Sequence, residues 1–195
     1  MSRNGRVERE TKETNILVAL EVDGGGVAEI ATGIPFFDHM LELLARHSLF
    51  DLKVKAAGDL EIDAHHTVED VGICLGDAFK KALAEKRGLN RYGDALMPMD
   101  ETLVAAAVDI SGRPHLVYEV DLPIEVIGTY DTSLTEEFLR AFVNKAGLTL
   151  HIRLMRGGNP HHVVEAVFKG LARALLEACQ INPRVGDVPS TKGKL

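Results

Sequence analysis

A short histidine motif that occurs twice carries the clearest chemical signal in this sequence. The pattern His-His-x-x-Glu lies at residues 65–69 and again at residues 161–165. Imidazole nitrogens and carboxylate oxygens are common ligands of divalent metal ions, and residues three or four positions apart share one face of a helix. A helix cap or a chance surface pair gives no reason for both copies to keep all three residues. The repeated motif therefore predicts metal binding.

The spacing within one motif also indicates how many ions it serves. Neighbouring helical residues point about 100° apart, so His65 and His66 cannot easily hold the same ion. Glu69 lies near the faces of both histidines. We expect each motif to serve two ions. If the two motifs meet, each ion can take one His and one Glu from one copy and the second His from the other copy, with a fourth ligand from elsewhere.

One histidine outside the motifs completes the predicted ligand set. His39 lies in an apolar segment, where an imidazole without a partner would be unfavourable, and alignment of the two halves places Glu137 at the equivalent position. The predicted ligands are then His39, His65, His66, Glu69, Glu137, His161, His162 and Glu165. Such donors, without thiolate, suit Mn²⁺ or Fe²⁺ in octahedral geometry better than structural zinc, and Zn²⁺ stays an alternative. Eight ligands on two such ions leave positions open for a substrate.

The elements that must hold these residues follow the same order in both halves of the chain. Residue alternation and glycine turns predict strands, and apolar residues at i, i+3, i+4 and i+7 predict helices. The first half reads as a hairpin (15–23 and 27–32), a helix (36–47), a strand (52–57) and a helix (63–86) with Asp63 as its candidate N-cap. The second half reads as a hairpin (101–110 and 115–120), a helix (132–145), a strand (149–155) and a helix (160–178).

Matching residues support a duplication of this unit. Glu13-Thr14 before the first hairpin matches Glu101-Thr102 before the second, in addition to the two histidine motifs. We predict an α+β fold in which the duplicated unit of hairpin, helix, strand and helix packs as two layers of sheet and helix in a single domain. The first repeat is expected at residues 6–95, the second at 96–181, and a polar tail at 182–195.

Composition excludes several classes of partner. The chain has 195 residues, 22 Lys and Arg against 29 Asp and Glu, and a formal net charge of -7, with no long basic run. Nucleic acid and anionic membranes are therefore not expected as partners. The two cysteines, Cys74 and Cys179, lie in apolar helical segments and predict neither a disulfide framework nor a thiolate zinc site. Because no apolar run is long enough for a signal peptide or a membrane span, we expect a cytoplasmic protein.

Several independent segments resemble one enzyme family, imidazoleglycerol-phosphate dehydratase of histidine biosynthesis. The segments are GIPFFDHMLELLARH, DAHHTVEDVGICLGDAF, DISGRPHL, YDTSLTEEF and HHVVEAVFKGLARAL. The similarity runs from about Arg6 to the terminal segment 189–193. The resemblance implies a duplicated ribosomal-protein-like α+β fold, two manganese ions per active site and assembly as a shell of 24 subunits with sites built between neighbours.

The resemblance implies a reaction and roles for particular residues. The expected reaction is the dehydration of D-erythro-imidazole-glycerol phosphate to imidazole-acetol phosphate, catalysed by a hydro-lyase of the monofunctional form, since the DxDxT phosphatase motif of fused relatives is absent. The eight predicted ligands correspond to the family's manganese ligands, although some members carry histidine at the position of Glu137. Glu13 corresponds to the proposed proton shuttle, a general acid/base. The substrate-binding residues implied in this way are Glu13, Arg91, Arg113, Lys169, Ser190 and Lys192, and the basic tail is expected to close over the phosphate.

Two other functions share part of this pattern. A dinuclear metallohydrolase also combines two ions with a phosphate pocket, but such sites usually have carboxylate-rich ligands around a bridging water. A metal-storage cage would use long helices that carry Glu-x-x-His, whereas the order here is reversed. An imidazole-rich site suits a nitrogenous substrate, because two cations can stabilise an imidazolate ring that then expels the neighbouring hydroxyl.

Overall fold

The computed structural model describes residues 2–193 and 195, and its two halves contain the same sequence of elements. The first half comprises β1 (Asn4–Glu10), β2 (Thr14–Glu21), β3 (Ala28–Ala31), α1 (Pro35–Ser48), β4 (Asp51–Gly58) and α2 (His65–Leu83). The second half comprises β5 (Tyr92–Met99), β6 (Thr102–Asp109), β7 (His115–Glu119), α3 (Leu134–Ala146), β10 (Thr149–Arg156) and α4 (Pro160–Cys179). A short ribbon of β8 (Val126–Ile127) and β9 (Tyr130–Asp131) precedes α3. The predicted α+β class is confirmed, and β5 runs across the predicted repeat boundary at residues 95 and 96.

The strand pairing differs from the predicted hairpins. The two four-stranded sheets have the orders β1-β2-β4-β3 and β5-β6-β10-β7. The segments predicted to pair as hairpins, β2 with β3 and β6 with β7, are therefore separated by β4 and β10, to which β3 and β7 pair in parallel. The true antiparallel partners are β1 for β2 and β5 for β6. The hairpin prediction was wrong because a helix follows β3 and β7. This helix leads the chain back to the sheet, where β4 inserts between β2 and β3, and β10 inserts between β6 and β7.

Both overlooked strands, β1 and β5, form sheet edges. The sequence of β1 is NGRVERE and that of β5 is YGDALMPM. The charged residues of β1 and the proline of β5 are typical of edge strands, because charges and proline prevent such strands from pairing with other chains. These residues hide the alternation of apolar and polar positions that would otherwise predict a strand.

The four helices pack between the two sheets and share one core. Helix α2 contacts α3, and α1 contacts α4. Leu44, Leu75, Phe142 and Leu175, one from each helix, line a common small void. Buried apolar residues of both halves belong to a single contiguous cluster. Since each sheet needs helices to cover its apolar face, burial of the two faces joins the halves.

A close approach between strand and helix recurs in both halves. A Cβ atom at Gly5 of β1 would lie 2.0 Å from the carbonyl oxygen of Ala78, and one at Gly93 of β5 would lie 2.1 Å from the carbonyl oxygen of Ala174. Neither distance is possible for a side chain, so both edge strands need glycine there. The matching contacts agree with a duplicated unit.

The helix ends differ slightly from the prediction. Helix α2 begins at His65 with Ala64 as its N-cap residue and ends at Leu83 rather than Lys86. Asp63 was predicted as the N-cap; it lies one residue earlier, where its carboxylate accepts a hydrogen bond from the backbone N–H of His65 at 2.7 Å. None of the described helices is both long and apolar enough to cross a membrane.

Candidate active site

The helices begin at one end of the helical layer, and this brings the histidine motifs to a common region. Ile34 before α1, His65 at the start of α2 and Ser133 before α3 line one cleft of about 540 Å³. The Phe36 ring of α1 lies edge-on to the ring of His161 at the start of α4, with centroids 5.0 Å apart. Both motifs therefore occupy the first turns of helices whose starting points lie together.

One group of predicted ligands is already assembled within the chain. His161 Nε2 lies 3.2 Å and His39 Nε2 lies 3.8 Å from Oε2 of Glu165. One ligand atom from each of the three side chains lies within 4.8 Å of the others. This arrangement arises because α1 packs against α4, and i, i+4 spacing places His161 and Glu165 on one face. The three side chains could hold a divalent metal ion.

Glu165 is held in its ionised form by its neighbours. The side chain is only 9% exposed, and Lys169 forms an ion pair with its second carboxylate oxygen one helical turn away. Burial alone would raise the pKa of Glu165, but the hydrogen bond and charge of Lys169, together with His39 and His161, lower that pKa below its ordinary value. An ionised carboxylate is the form that a metal ion binds.

The second histidine of each motif is bonded to a carboxylate. His66 Nδ1 lies 3.0 Å from Asp59 Oδ2, and His162 Nδ1 lies 3.0 Å from Glu101 Oε2. The hydrogen bond to Asp59 raises the pKa of His66. The pKa of Glu101 is lowered to about 2, mainly by the hydrogen bond from the backbone N–H of Asn159 and next by the hydrogen bond from His162. Asp100, Glu101 and His162 form a second group of residues that could hold a metal ion.

Four predicted ligands do not form such a group within the chain: His65, His66, Glu69 and Glu137. His65 and Glu69 lie on α2, which packs against α3 with Glu137, just as α1 with His39 packs against α4. In residues 2–193 and 195, however, no cluster of three possible ligand atoms includes any of these four side chains. Over the same residues, no such cluster joins the two histidine motifs. The expectation that both motifs share each ion is thus not met within one chain.

The predicted proton shuttle lies beside the first motif. Glu13 is 57% exposed at its side chain, and its Oε2 lies 4.0 Å from His66 Nδ1, beyond hydrogen-bond distance. Its backbone carbonyl accepts a hydrogen bond from the N–H of Asp59 at 3.1 Å. Glu13 is therefore next to a predicted ligand with its carboxylate directed at no close partner in the described chain.

The predicted phosphate-binding residues fall into two separate places. Lys169 lies next to the metal-binding group, as described above. The backbone N–H of Arg91 instead bonds to the carbonyl of Ala178, near the end of α4. Ala178 lies 17 positions after His161 and nine positions after Lys169, so the attachment point of Arg91 is about 25 Å from the start of α4 and about 14 Å from the backbone of Lys169 along the helix. A single chain does not bring them together.

Arg91 is a well-fixed cation with spare donors. Its Nε and Nη2 donate to Asp109 at 2.7 and 3.1 Å, and its Nη1 donates to the carbonyl of Pro189 at 2.8 Å. An arginine side chain has five N–H donors, so two stay available for another acceptor. Arg113 is largely exposed and lies 3.7 Å from the same carboxylate of Asp109.

The tail lies against the loop before β5. Asn182 donates its backbone N–H to Gly88 at 2.7 Å, and the carbonyl of Pro189 accepts the bond from Arg91. Within the tail, the N–H of Lys192 donates to Ser190 Oγ at 3.2 Å. Ser190 and Lys192 are therefore carried towards Arg91, at the end of α4 remote from Glu165.

Sequence reasoning missed Asp59 as part of the site and read Glu101 only as a marker of the duplication. Asp59 directly follows β4, six residues before His65 and outside any helical spacing. The correspondence of Glu101 with Glu13 was the one signal that could have pointed to a second functional carboxylate.

Fold and site together define an internally duplicated α+β protein whose helix starts carry histidine and carboxylate groups able to hold metal ions. The sequence profile of the imidazoleglycerol-phosphate dehydratase family matches residues 32–175. The protein of that name from Citrifermentans bemidjiense is 58% identical over the full length of both chains. The chain belongs to the imidazoleglycerol-phosphate dehydratase family.

Solved structures agree with this assignment. The imidazoleglycerol-phosphate dehydratase of Staphylococcus aureus has a TM-score of 0.83 and 41% identity, with 92% of this chain and 99% of that chain covered. The enzyme from Pyrococcus furiosus has a TM-score of 0.84 and 39% identity, with 97% and 100% covered. The predicted family and the hydro-lyase class are thereby confirmed.

Proposed function

We propose that this chain dehydrates D-erythro-imidazole-glycerol phosphate to imidazole-acetol phosphate, a step of histidine biosynthesis, at a site with two Mn²⁺ ions. The observation that carries the proposal is the group of His39, His161 and Glu165, with Lys169 paired to the same carboxylate. Metal ligands and a cation for phosphate thus lie within one helical turn of each other, as binding of a small phosphorylated ligand requires.

The side chains at the site fit the proposed metal. All candidate donors are imidazole nitrogens or carboxylate oxygens, whereas Cys74 and Cys179 are buried elsewhere and burial raises the pKa of both thiols. Such a donor set suits Mn²⁺ or Fe²⁺, with Zn²⁺ as the alternative. We assign the eight predicted ligands to two ions: His39, His65, His66, Glu69, Glu137, His161, His162 and Glu165.

The reaction must remove a proton from a carbon that lies beside a hydroxyl rather than a carbonyl. When bound, the two ions would stabilise negative charge on the imidazole ring of the substrate. Glu13 is the proposed general acid/base: its carboxylate accepts the carbon-bound proton and supplies a proton to the departing hydroxyl, so that water leaves and the enol becomes the ketone. Its exposure and its place beside His66 support this role.

We further propose that more than one chain completes each site. Lys169 pairs its ammonium group with Glu165, which lies 13 residues before Ala178 on α4, so this group and the attachment point of Arg91 are about 20 Å apart along the helix, too far to hold the same phosphate. Another copy must then supply Arg91, Arg113, Ser190 and Lys192 to the region of Lys169. The separation supports sites between neighbouring copies, and we propose that these copies form the shell of 24 subunits that the family resemblance implies.

A steady-state assay with metal-stripped protein and the imidazole substrate tests the reaction directly. We expect turnover to the ketone only after Mn²⁺ is added, with no release of inorganic phosphate. Phosphate release would instead support a metallohydrolase. A protein that binds two metal ions per chain and turns over no substrate would support metal storage.

A further inference from the structure

Each histidine motif has a carboxylate on the Nδ1 side of its second ring. Asp59 lies within hydrogen-bond distance of His66 through both oxygens, at 3.0 and 3.2 Å, and its side chain is only 14% exposed. Glu101 contacts His162 Nδ1 in the same way, at 3.0 and 3.3 Å. In both rings Nε2 has no hydrogen-bond partner among residues 2–193 and 195. The same local geometry is thus built twice.

The two carboxylates come from different positions of the duplicated unit. Glu101 is the equivalent of Glu13, since each precedes the threonine that opens β2 or β6. Asp59 is the residue after β4, and the residue after β10 is Gly157, which has no side chain to offer. A Cβ at Gly158 would lie 3.1 Å from Glu101 Cγ, so the glycines leave room for Glu101 to reach His162.

The two equivalent glutamates are consequently in different states. Glu101 accepts hydrogen bonds from Asn159 N at 2.9 Å and Thr102 Oγ1 at 3.1 Å in addition to its contact with His162. Glu13 stays 4.0 Å from His66, whose Nδ1 is already occupied by Asp59. A carboxylate on Nδ1–H fixes the neutral tautomer that presents its lone pair at Nε2, and it raises the basicity of that nitrogen.

We propose that Asp59 and Glu101 are positioning residues that orient Nε2 of His66 and His162 towards metal, and that Asp59 does for the first motif what Glu101 does for the second. Because Asp59 holds His66, Glu13 does not orient a histidine as its equivalent Glu101 does, and its carboxylate is available for proton transfer. The inference rests on the proposed function for the identity of the metal and for the proton transfer. The tautomer of each ring does not depend on either.

Direct binding of Mn²⁺, measured by equilibrium dialysis, tests the metal-directed part. We expect Asp59→Ala and Glu101→Ala to lower Mn²⁺ affinity about 10- to 100-fold. Asp59→Asn, which keeps an acceptor for Nδ1–H, should lower Mn²⁺ affinity less than Asp59→Ala does. Glu13→Ala is the matched control for Glu101→Ala and should bind Mn²⁺ as the wild type does. Glu61→Ala, an exposed carboxylate in the same loop as Asp59, is the second control.

A metal-independent measurement separates this inference from the proposed function. Solid-state ¹⁵N spectra of metal-free protein labelled at histidine report the tautomer of His66, assigned by comparison with His66→Gln. At a pH above the pKa of His66, where the ring is neutral, we expect one Nδ1–H tautomer in the wild type and a mixture in Asp59→Ala. An unchanged ring spectrum in a folded Asp59→Ala, or equal Mn²⁺ affinity in Glu13→Ala and Glu101→Ala, would overturn the positioning roles. A wild type that shows the Nδ1–H tautomer and binds no Mn²⁺ would overturn the proposed function alone.

Discussion

At the residue scale, the site contains carboxylates of the same type in unlike environments. Glu165 is buried and paired with Lys169, whereas Glu13 is exposed and without a close partner in the described chain. Glu101, the equivalent of Glu13, is fixed by backbone and imidazole donors that lower its pKa to about 2. Because Glu101 is held by these donors while the carboxylate of Glu13 has no close partner in the described chain, Glu13 is better placed than Glu101 to transfer protons to and from a substrate.

Replacement of Glu13 tests this distinction. We expect Glu13→Gln to reduce turnover about 100- to 10,000-fold, because the amide neither accepts nor supplies the proton. Metal content and substrate affinity should change little. Steady-state kinetics with metal analysis measures both, and Glu10→Gln, an exposed change on the neighbouring strand, is the control. A fully active Glu13→Gln enzyme would remove Glu13 from the mechanism.

A second residue-scale prediction concerns pH. Asp51 Oδ1 accepts hydrogen bonds from the backbone N–H groups of Val27 and Gly25, both at 2.8 Å, and these bonds lower its pKa. Because the folded pKa lies below the unfolded value of about 3.9, this contribution to stability is present above that value and is lost as the pH falls through the folded pKa.

The wild type should therefore lose more stability than Asp51→Asn on acidification below about pH 4. Thermal unfolding midpoints of both proteins between pH 3 and 7, recorded at one protein concentration, provide the measurement. At neutral pH the wild type should be the more stable of the two. Parallel midpoint curves would show that the Asp51 carboxylate does not contribute in this way.

At the element scale, both halves use the same contacts to attach an edge strand to a helix, as the matching glycines Gly5 and Gly93 show. The first half adds a polar link. Asp70 of α2 is 7% exposed and accepts hydrogen bonds from Arg9 Nε of β1, at 2.8 Å, and from Thr14 Oγ1 of β2. This carboxylate joins the helix that carries the first histidine motif to the hairpin that carries Glu13.

Removal of Asp70 should weaken that joint. We expect Asp70→Ala to lower the free energy of unfolding by about 1 to 3 kcal/mol, because Thr14 and Arg9 lose a buried acceptor. Asp70→Asn, which keeps an acceptor, should lower the free energy of unfolding less than Asp70→Ala does. Denaturant unfolding of each variant checks this, with Asp77→Ala on the same helix as a control. Equal stability of Asp70→Ala and Asp77→Ala would rule out the link.

At the scale of the whole molecule, the proposed metal ligands and the proposed phosphate-binding arginine Arg91 lie at opposite ends of α4. His161 and Glu165 lie in its first turns, and Arg91 is bonded near its end. A helix is rigid over this length, so no rearrangement inside one chain joins the two. We propose that association of copies brings the metal ligands of one chain to the arginines of another.

Metal removal should therefore affect assembly as well as activity. We expect chelation to abolish turnover and to lower the particle mass from that of an assembly towards that of a single 21.2 kDa chain. Without the ions, ligands from different chains no longer share a metal, and their carboxylates repel each other. Light scattering measures the mass, and added Mn²⁺ should restore mass and turnover together. An intact particle after complete chelation would show that metal does not hold the subunits.

The sequence by itself determined the features that depend on local spacing. The repeated motif, the helices that begin with it and the α+β order follow from periodicities of three to four residues or of two, which a chain carries along its own length. Eight candidate ligands could be named in this way, and His39, His161 and Glu165 do meet.

Only the tertiary structure decided which distant segments come together. The insertion of β4 between β2 and β3 contradicts sequence adjacency, because strand pairing is chosen by burial of whole faces rather than by the nearest turn. The bond between Asp59 and His66 and the separation of Arg91 from Glu165 likewise depend on how β4 and α4 are placed. Such contacts join residues with no shared period, and they arise only when the packed core fixes the elements around them.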